Sequence, residues 1–398
     1  MALLSDTIIA GGDGDFMSVR HLVLRGSNHA IGRALADVAR DDLAVRKTPW
    51  TEPMMSRAQR AFLARNWPSL FARMHGVAAA FGATLDDDTR DFSFLAYDVG
   101  VPGCSCIAYP PQATADGHAI LSRNFDYTLG GHTDMPLGGG SLNKLADDGG
   151  PIERRPYCAR PFLLELHPDD GYPTLGMCAF DLLGQLTDGV NSEGLCVALL
   201  NDNETAASAL IEPFGRPGVG LSEGHIPRFL LETCADVDEA KEALLAAKQY
   251  YVAAPCHYLI ADRHGRSFVW EYSPNRNRHF IIESSGAPLP VTNHLLHEHA
   301  PIAPEATLEN SQRRLAALQQ RLGAHDAPLT RQQIRDINSC VAATDAVGTG
   351  QYVTQTYPGR TLWYACYDLT DRKIEIDFYL GEHGGGIRRS APRSFGLS

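Results

Sequence analysis

The stretch "GCSCIAYPPQATADGHAILSRNFDY", residues 103–127, decides the fold. It places a Gly-Cys-Ser-Cys group before an apolar run, a turn at Asp116-Gly117, and a second run that ends in Arg-Asn-Phe-Asp. Asp-Gly between two such runs is a strong signal for a β-hairpin. Antiparallel pairing would bring the start of the first strand, with its cysteines, near Arg123 and Asp126 at the end of the second.

The rest of the chain mixes hairpins with helices. Two further hairpins are predicted at 256–273 and 362–381, with turns at 262–265 and 368–372. Apolar residues at helical spacing predict helices over 28–46, 54–82, 226–248, 308–324 and 330–343. The first hundred residues therefore look mainly helical. Hairpins mixed with helices favour an α+β fold with mostly antiparallel sheets over a parallel doubly wound sheet.

Composition indicates an ordinary soluble globular protein. The chain has 398 residues, 44% hydrophobic and 21% charged, enough for one large domain or two. A formal charge of −12 without a basic run argues against nucleic-acid partners. No apolar run approaches the roughly 18 residues that a membrane helix needs, and the N-terminus lacks a basic leader, so we expect a cytoplasmic protein without membrane contact.

Nine cysteines are scattered without repeated Cys-x-x-Cys spacing, which is typical of buried thiols with room for one reactive thiol. A thiol attacks as its thiolate and needs a base or a positive neighbour. That base is either a histidine elsewhere in the fold or the cysteine's own α-amine, which exists only if the Gly103-Cys104 bond is cut.

An α-amine has a reference pKa of about 7.7 to 8.0, close to working pH. Gly103 suits self-cleavage because it lacks a Cβ, so a strained peptide can form and the thiol can reach the carbonyl. Asp126 would then hydrogen-bond the amine, and Arg123 would hold the electrostatics of the site. The alternative is that Cys104 and Cys106 are inert buried residues and that Arg123 and Asp126 are a surface pair.

"GCSCIA", the D-G turn and "RNFDY" resemble the motif of the N-terminal nucleophile (Ntn) hydrolases related to isopenicillin N acyltransferase. More distant kin are choloylglycine hydrolases, penicillin V acylases and acid ceramidase. The resemblance continues in order over most of the chain. Its further segments are "GSNHAIGRALA" (26–36, similar to the start of the propeptide), "DGVNSEGLCVALLN" (188–201), "HYLIADRHGRSFVWE" (257–271), "VTNHL" (291–295) and "NSQRRLAAL" (310–318).

The resemblance implies a four-layer αββα sandwich with self-cleavage between Gly103 and Cys104. Residues 1–103 would be a helical propeptide or α chain, and 104–398 the catalytic β chain, packed together as one globular unit. The resemblance implies catalytic roles for Cys104, Arg123, Asp126, Asn201, Asn293 and Arg314.

In the implied mechanism, the Cys104 sulfur attacks an acyl carbonyl while its α-amine shuttles the proton. The side chain of Asn201 and a backbone N–H stabilise the oxyanion, and Asn293 supports the network that Arg123 and Asp126 position. Cys106 stands where the family usually has a small uncharged residue. It is either a wall of the pocket or a second thiol.

These expectations describe a self-processing cysteine amidohydrolase or acyltransferase that uses a Cys104 thioester. The expected substrate is a linear amide, such as an N-acyl amino acid, a small peptide or a β-lactam-type amide, and an amine or CoA-thioester co-substrate fits an acyltransferase. No cofactor or metal is predicted. The cleaved chains are expected to stay associated, and a homo-oligomer is left open. The alternatives are an unprocessed chain and a non-catalytic binding protein on the same fold.

Two other clusters could suggest chemistry. Cys256-His257 resembles a nucleophile and base, but neighbours on a strand point to opposite faces. His294, His297 and His299 could suggest zinc. A metal site is disfavoured because no carboxylate or thiol stands at ligand spacing and no HExxH occurs.

The remaining features are assigned to loops and core. The glycine-rich residues 129–143 lack a Walker lysine and a G-x-G-x-x-G after a strand, so we interpret them as a lid or substrate loop. Residues 130–151 and 213–220 are predicted to be long surface loops that border a binding site. Trp270 and Trp363 lie in predicted hairpins and are assigned to the core.

Overall fold

The computed structural model describes residues 2–43, 45, 48–49, 52–97, 103–129, 158–206, 218–251, 255–273, 278–297, 305–344 and 359–397. The expected loops at 130–151 and 213–217 lie outside these residues. No helix in the described part of the chain is both long and apolar enough to cross a bilayer.

Runs of consecutive strands are interrupted by single helices and by groups of helices along the chain. The strands are β1 (Leu3–Gly11), β2 (Ser18–Gly26), β3 (Thr48–Pro49), β4 (Arg90–Asp91), β5 (Gly103–Tyr109), β6 (Ile120–Thr128), β7 (Phe162–Pro168), β8 (Thr174–Cys178), β9 (Asp188–Asn191), β10 (Cys196–Asn201), β11 (Cys256–Ala261), β12 (Ser267–Ser273), β13 (Arg278–Glu283), β14 (Leu289–Val291), β15 (Gly359–Asp368), β16 (Lys373–His383), β17 (Gly386–Arg389) and β18 (Arg393–Gly396). The helices are α1 (Asn28–Leu43), α2 (Pro53–Asn66), α3 (Pro68–Ala80), α4 (Asn203–Ala206), α5 (His225–Thr233), α6 (Val237–Ala246), α7 (Glu305–Gly323) and α8 (Arg331–Ser339).

Two large sheets form the centre of the molecule. In the described residues the first runs β1-β2-β7-β8-β9-β10-β11-β12-β13, and the second runs β14-β5-β6-β15-β16-β17 with β18 also on β16. One apolar core lies between the sheets, a second between the first sheet and α1, α3, α5 and α6, and a third between the second sheet and α7 and α8. The fold is therefore the predicted α+β, four-layer αββα sandwich.

The opening hairpin forms as the Asp-Gly signal predicts. β5 pairs antiparallel with β6, and Gly117 has the positive φ of +73° that favours glycine in the turn. Cys104 lies opposite Phe125, and Cys106 opposite Arg123. Because side chains alternate along a strand, both cysteines face the core between the sheets.

The first hundred residues differ from the mainly helical expectation. β1 and β2 extend the first sheet, where β2 pairs in parallel with β7. The helix expected over 54–82 is broken between α2 and α3, because Pro68 has no N–H and pushes Trp67 out of the helical region. Likewise, the segment 226–248 forms two helices, and the side chain of Asp236 caps the second.

A buried ion pair fastens this N-terminal segment to the rest of the molecule. Arg73 on α3 donates to Glu232 on α5, and both side chains are buried. The same carboxylate accepts from Trp67 Nε1 at 3.0 Å and Ser69 Oγ at 3.3 Å. Charged hydrogen bonds in a dry interior are expensive to break on one side only, so this contact helps to fix α3 on the sheet.

Candidate active site

The thiol of Cys104 lies at the start of β5, buried between the two sheets. Its sulfur is 3.0 Å from Arg123 Nη2 and 3.8 Å from the Leu199 carbonyl oxygen. Burial raises the pKa of the thiol, the positive charge of Arg123 opposes that rise, and the carboxylate of Asp126 adds to it. The guanidinium is therefore the group that favours the thiolate here.

Arg123 is held by three further contacts, and one of its partners is itself hydrogen-bonded. Nη1 donates to the Thr187 carbonyl at 2.6 Å, and Nη2 to the Leu199 carbonyl at 2.7 Å. Asp188 Oδ1 lies 3.1 Å from Nη1, and Tyr367 donates its hydroxyl to Asp188 Oδ2 at 2.7 Å. Burial works against the charge on Arg123, but Asp188 and the two cysteines together outweigh burial, so the pKa of Arg123 is raised.

Asn293 connects the backbone of Cys104 to its surroundings. Its Oδ1 accepts from Cys104 N at 2.9 Å and from Arg314 Nη2 at 2.7 Å. Its Nδ2 donates to the Asn201 carbonyl at 2.8 Å. The backbone nitrogen of Cys104, which would become an α-amine after cleavage, thus already donates a hydrogen bond to the side chain of Asn293.

Arg314 rather than its neighbour Arg313 points into the site. Arg314 Nη1 donates to the Cys104 carbonyl at 2.6 Å, and Nε donates to Asn310 Oδ1 at 2.9 Å. Arg313, the preceding residue of α7, is exposed. Burial lowers the pKa of Arg314, and the charge of Asp126 opposes that change.

The resemblance implied that the side chain of Asn201 lies beside the thiol. In the structure this side chain points elsewhere. Asn201 pairs with Cys256, which faces the helix-side core, whereas Leu200 faces the other sheet. Its Nδ2 donates to Asn203 Oδ1. The side-chain amide that adjoins Cys104 belongs to Asn293 instead, and Asn201 meets that amide through its carbonyl.

Asp126 lies on the opposite face of β6 from Arg123. Its Oδ1 accepts from Thr361 Oγ1 at 2.5 Å. Burial raises the pKa of Asp126, and Arg314 opposes the rise. The alternative of a surface pair is wrong, because Arg123 and Asp126 are both buried and face different layers.

Cys106 is a fully buried part of the core between the sheets. Burial raises the pKa of its thiol well above the ordinary value, and the described contact of Arg123 is with the sulfur of Cys104. The arrangement favours a wall over a second reactive thiol.

The other histidine and cysteine clusters behave as the strand geometry predicts. Cys256 packs in the helix-side core, whereas His257 faces Thr292, so the two do not form a dyad. His294 shares a hydrogen bond of 2.8 Å with Ser311 Oγ, and His297 one of 2.9 Å with Glu271. His299 and residues 130–143 lie outside the described residues. Trp270 and Trp363 are buried core residues, as predicted.

One group in the described chain has the spacing of cation ligands: His118, Asp368 and Asp371. It lies near the surface. Arg331 Nη2 is 2.6 Å from Asp368, and Lys373 Nζ is 3.0 Å from Asp371. Because cations of the protein already neutralise these carboxylates, the group does not indicate a metal centre.

Sequence reasoning missed three residues that build the site. Asp188 is the charge partner of Arg123, Ser311 binds the backbone of Asn293 at 2.7 Å, and Glu271 holds the segment that follows Asn293. Asp188, Glu271 and Ser311 all stand inside the segments that carry the resemblance, which was the only available signal.

Known proteins are similar to this chain at the level of one family model and of several solved structures. The family model described as acyl-coenzyme A:6-aminopenicillanic acid acyl-transferase matches residues 157–382. No curated protein matches. Among solved structures, two variants of conjugated bile acid hydrolase from Clostridium perfringens are similar at 15% identity, with TM-scores of 0.42 and 0.44, covering 74% of this chain and 97% of theirs. Penicillin V acylase from Agrobacterium tumefaciens is 14% identical, with a TM-score of 0.39, covering 69% of this chain and 83% of its own.

These TM-scores are too low to support a conclusion about the site. The family assignment therefore rests on the match to the family model. Its matched residues include Asp188, Asn201, Asn293 and Arg314, while Cys104 lies before them. The match extends over more than half of the 398 residues. The chain therefore belongs to the acyl-coenzyme A:6-aminopenicillanic acid acyl-transferase family.

Proposed function

We propose that this protein is a self-processing cysteine acyltransferase or amidohydrolase that acts on linear amides through a Cys104 thioester. One observation carries the proposal: Arg123 Nη2 lies 3.0 Å from the sulfur of Cys104, while Asn293 Oδ1 lies 2.9 Å from its backbone nitrogen. A charge beside the sulfur and an acceptor on the nitrogen are what an N-terminal cysteine nucleophile needs.

Processing begins with attack of the Cys104 sulfur on the Gly103 carbonyl carbon. The bond to the Cys104 nitrogen breaks, the nitrogen takes the thiol proton, and Gly103 is held briefly as a thioester. Water then hydrolyses the thioester, giving a Gly103 carboxylic acid, a restored thiol and a free α-amine. Asn293 Oδ1 and Arg314, which bind the nitrogen and the carbonyl of Cys104, hold that residue in place on both sides of the cut.

Turnover repeats the same chemistry on a substrate. The α-amine takes the thiol proton, the sulfur attacks the acyl carbonyl, and the leaving amine receives the proton as the thioester forms. Water resolves the thioester in a hydrolase, and an amine resolves it in an acyltransferase. An N-acyl amino acid, a small peptide or a β-lactam-type amide fits this reaction, with an amine or CoA thioester as co-substrate.

We assign the oxyanion to the second N–H of Asn293 Nδ2 together with a backbone N–H. The first N–H donates to the Asn201 carbonyl, and this hydrogen bond fixes the plane of the Asn293 side-chain amide. Removing such a donor typically lowers the rate by about 10²- to 10³-fold. Arg123 stabilises the thiolate, and Asp126 and Arg314 supply the charges around the new amine.

Intact-mass spectrometry tests the processing step. We expect the purified protein to yield two fragments that meet between Gly103 and Cys104, and Cys104→Ala to remain one chain. Cys106→Ala is the matched control, because it removes the neighbouring thiol of the same strand, and it should be cut like the parent. An uncut parent chain after long incubation contradicts self-processing and favours the unprocessed or binding alternative.

The processed protein is then screened against N-acyl amines and short amides, with and without an amine acceptor. Acyl release that Cys104→Ala abolishes supports a hydrolase, and a new amide formed with the acceptor supports an acyltransferase. A processed protein that turns over none of the panel, and whose Cys104 reacts with iodoacetamide no faster than the other thiols, contradicts the enzymatic proposal.

A further inference from the structure

The segment 292–297, which carries Asn293, is fixed by hydrogen bonds from several elements. Val291, at its start, pairs with Cys106 in the sheet. The backbone N–H of Asn293 donates to Ser311 Oγ on α7 at 2.7 Å. The N–H groups of Leu296 and His297 donate to the carboxylate of Glu271 at 2.7 and 3.1 Å. The position of Asn293 therefore depends on groups that do not themselves touch Cys104.

His257 is the group that holds the residue just before Asn293. Its Nε2 lies 2.7 Å from the Thr292 carbonyl oxygen, and its Nδ1 lies 3.4 Å from Glu271 Oε1. A carbonyl and an ionised carboxylate both accept hydrogen bonds and donate none. Full pairing at this site therefore requires a proton on each ring nitrogen, which is the imidazolium form.

The charges around the ring favour that form. Burial lowers the pKa of His257, but Glu271, Asp202 and the Thr292 carbonyl together outweigh burial, so the pKa is raised. Burial opposes ionisation of Glu271, but His257 and His297 hold its pKa at about 2. His294 is the remaining ionisable neighbour. Burial, His257 and Arg314 lower its pKa to about 4, so it is neutral near pH 7.

We infer that His257, charged between Glu271 and the Thr292 carbonyl, is a positioning residue for Asn293 and keeps it in working geometry only while doubly protonated. The inference rests on the proposed function, which gives Asn293 its role. Loss of the Nδ1 proton turns a lone pair toward the carboxylate and releases one anchor of the segment. A raised pKa means that this support is complete at low pH and is lost as pH rises through the pKa of folded His257.

A pH profile of kcat separates this role from a purely structural one. We expect an alkaline fall in the parent enzyme. In Glu271→Gln the fall should move to lower pH by about one unit or more, because a neutral amide no longer favours the cation. In His257→Gln, which keeps a donor for the Thr292 carbonyl but does not titrate, kcat should be lower by about tenfold, with KM little changed, and the alkaline fall should vanish.

The matched control is His167→Gln. His167 Nε2 lies 2.7 Å from Glu165 Oε1, so this change removes another histidine and glutamate pair, on β7, without touching the segment. It should leave the profile unchanged. An alkaline fall at the same pH in the parent, Glu271→Gln and His257→Gln overturns the inference.

A spectroscopic measurement tests the inference without turnover. In uncleavable Cys104→Ala, ¹⁵N-histidine spectra should report a doubly protonated His257 at neutral pH, and the Asn293 side-chain amide signals should shift with the same pKa. His257→Gln should abolish that shift. The inference is overturned if His257 is neutral, or if the Asn293 signals do not change as His257 titrates, even if acyl turnover is found. A coupled titration in a protein without turnover supports the inference while the proposed function fails.

Discussion

Replacing Asn293 with aspartate tests the side-chain amide that we assign to the oxyanion. Aspartate has the same shape and keeps the oxygen that accepts from Cys104 N and Arg314 Nη2, at 2.9 and 2.7 Å. It loses the Nδ2 group that donates to the Asn201 carbonyl at 2.8 Å, and it turns an oxygen toward that carbonyl. The variant therefore removes the amide donor while leaving the acceptor contacts available.

The expected magnitudes follow from these contacts. Losing the oxyanion donor lowers kcat by about 10²- to 10³-fold. Losing one hydrogen bond to a buried carbonyl lowers the free energy of unfolding by about 1 to 3 kcal/mol, which the added attraction to Arg314 partly offsets. Such a rate loss corresponds to about 3 to 4 kcal/mol in the activation barrier, so we expect a larger effect on activity than on stability.

The comparison variant is Asn201→Asp, whose side chain contacts Asn203 rather than Cys104. Acyl-release kinetics on processed protein, with urea denaturation alongside, should give a fall of less than about tenfold in kcat for this variant. If Asn201→Asp loses about 10²-fold or more while Asn293→Asp keeps its rate, the oxyanion donor is Asn201 and our reassignment is refuted.

Three further changes test the surroundings. Asp188→Asn leaves Arg123 buried without its carboxylate and should lower the free energy of unfolding by about 3 to 5 kcal/mol. Urea denaturation measures this loss, and an unchanged midpoint would contradict a stabilising role for the ion pair. Glu232→Gln likewise leaves Arg73 buried without its carboxylate. We expect a similar loss in the free energy of unfolding and faster proteolysis of residues 2–97, and equal protease resistance would contradict this expectation. Cys106→Ala should keep full activity at a stability loss of about 1 to 2 kcal/mol, and an inactive but folded variant would make Cys106 part of the chemistry.

The hairpin and its chemistry could be predicted because the signals are local. The Asp116-Gly117 turn predicts the pairing of β5 with β6, and the observed register, with Cys106 opposite Arg123, puts Arg123 on the face of Cys104. The same parity explains why Asp126 lies on the other face. That result could have been read from the sequence once the strand was accepted.

The direction of Asn201 could not be read in this way. The residues before it, Val197 to Leu200, are all apolar because β10 is buried on both faces. Without alternation, the sequence does not reveal which residues face the second sheet. Arg313 and Arg314 pose the same problem on α7, where only the packing of the helix decides which arginine points inward.

Contacts between residues far apart in the chain could not be predicted from the sequence for a different reason. The parallel pairing of β2 with β7 joins residues that are far apart in the chain, and the short apolar runs near the N-terminus gave no signal of it. Asp188 at the start of β9 looks like an ordinary turn residue until the fold brings Arg123 beside it. By contrast, Pro68 within the expected helix over 54–82 was a readable signal of the break.

If the chain is cut as we propose, the pairing of β2 with β7 also determines how the protein refolds. These strands lie on either side of the Gly103–Cys104 bond, yet seven residue pairs join them within one sheet. In an uncut chain, the two strands meet by loop closure within one molecule, at a rate independent of protein concentration. Once the bond is cut and the fragments are denatured apart, the same sheet forms only through collision of two molecules. Recovery then becomes second-order, so we expect dilution to slow the refolding of the cut protein but not that of the uncut chain.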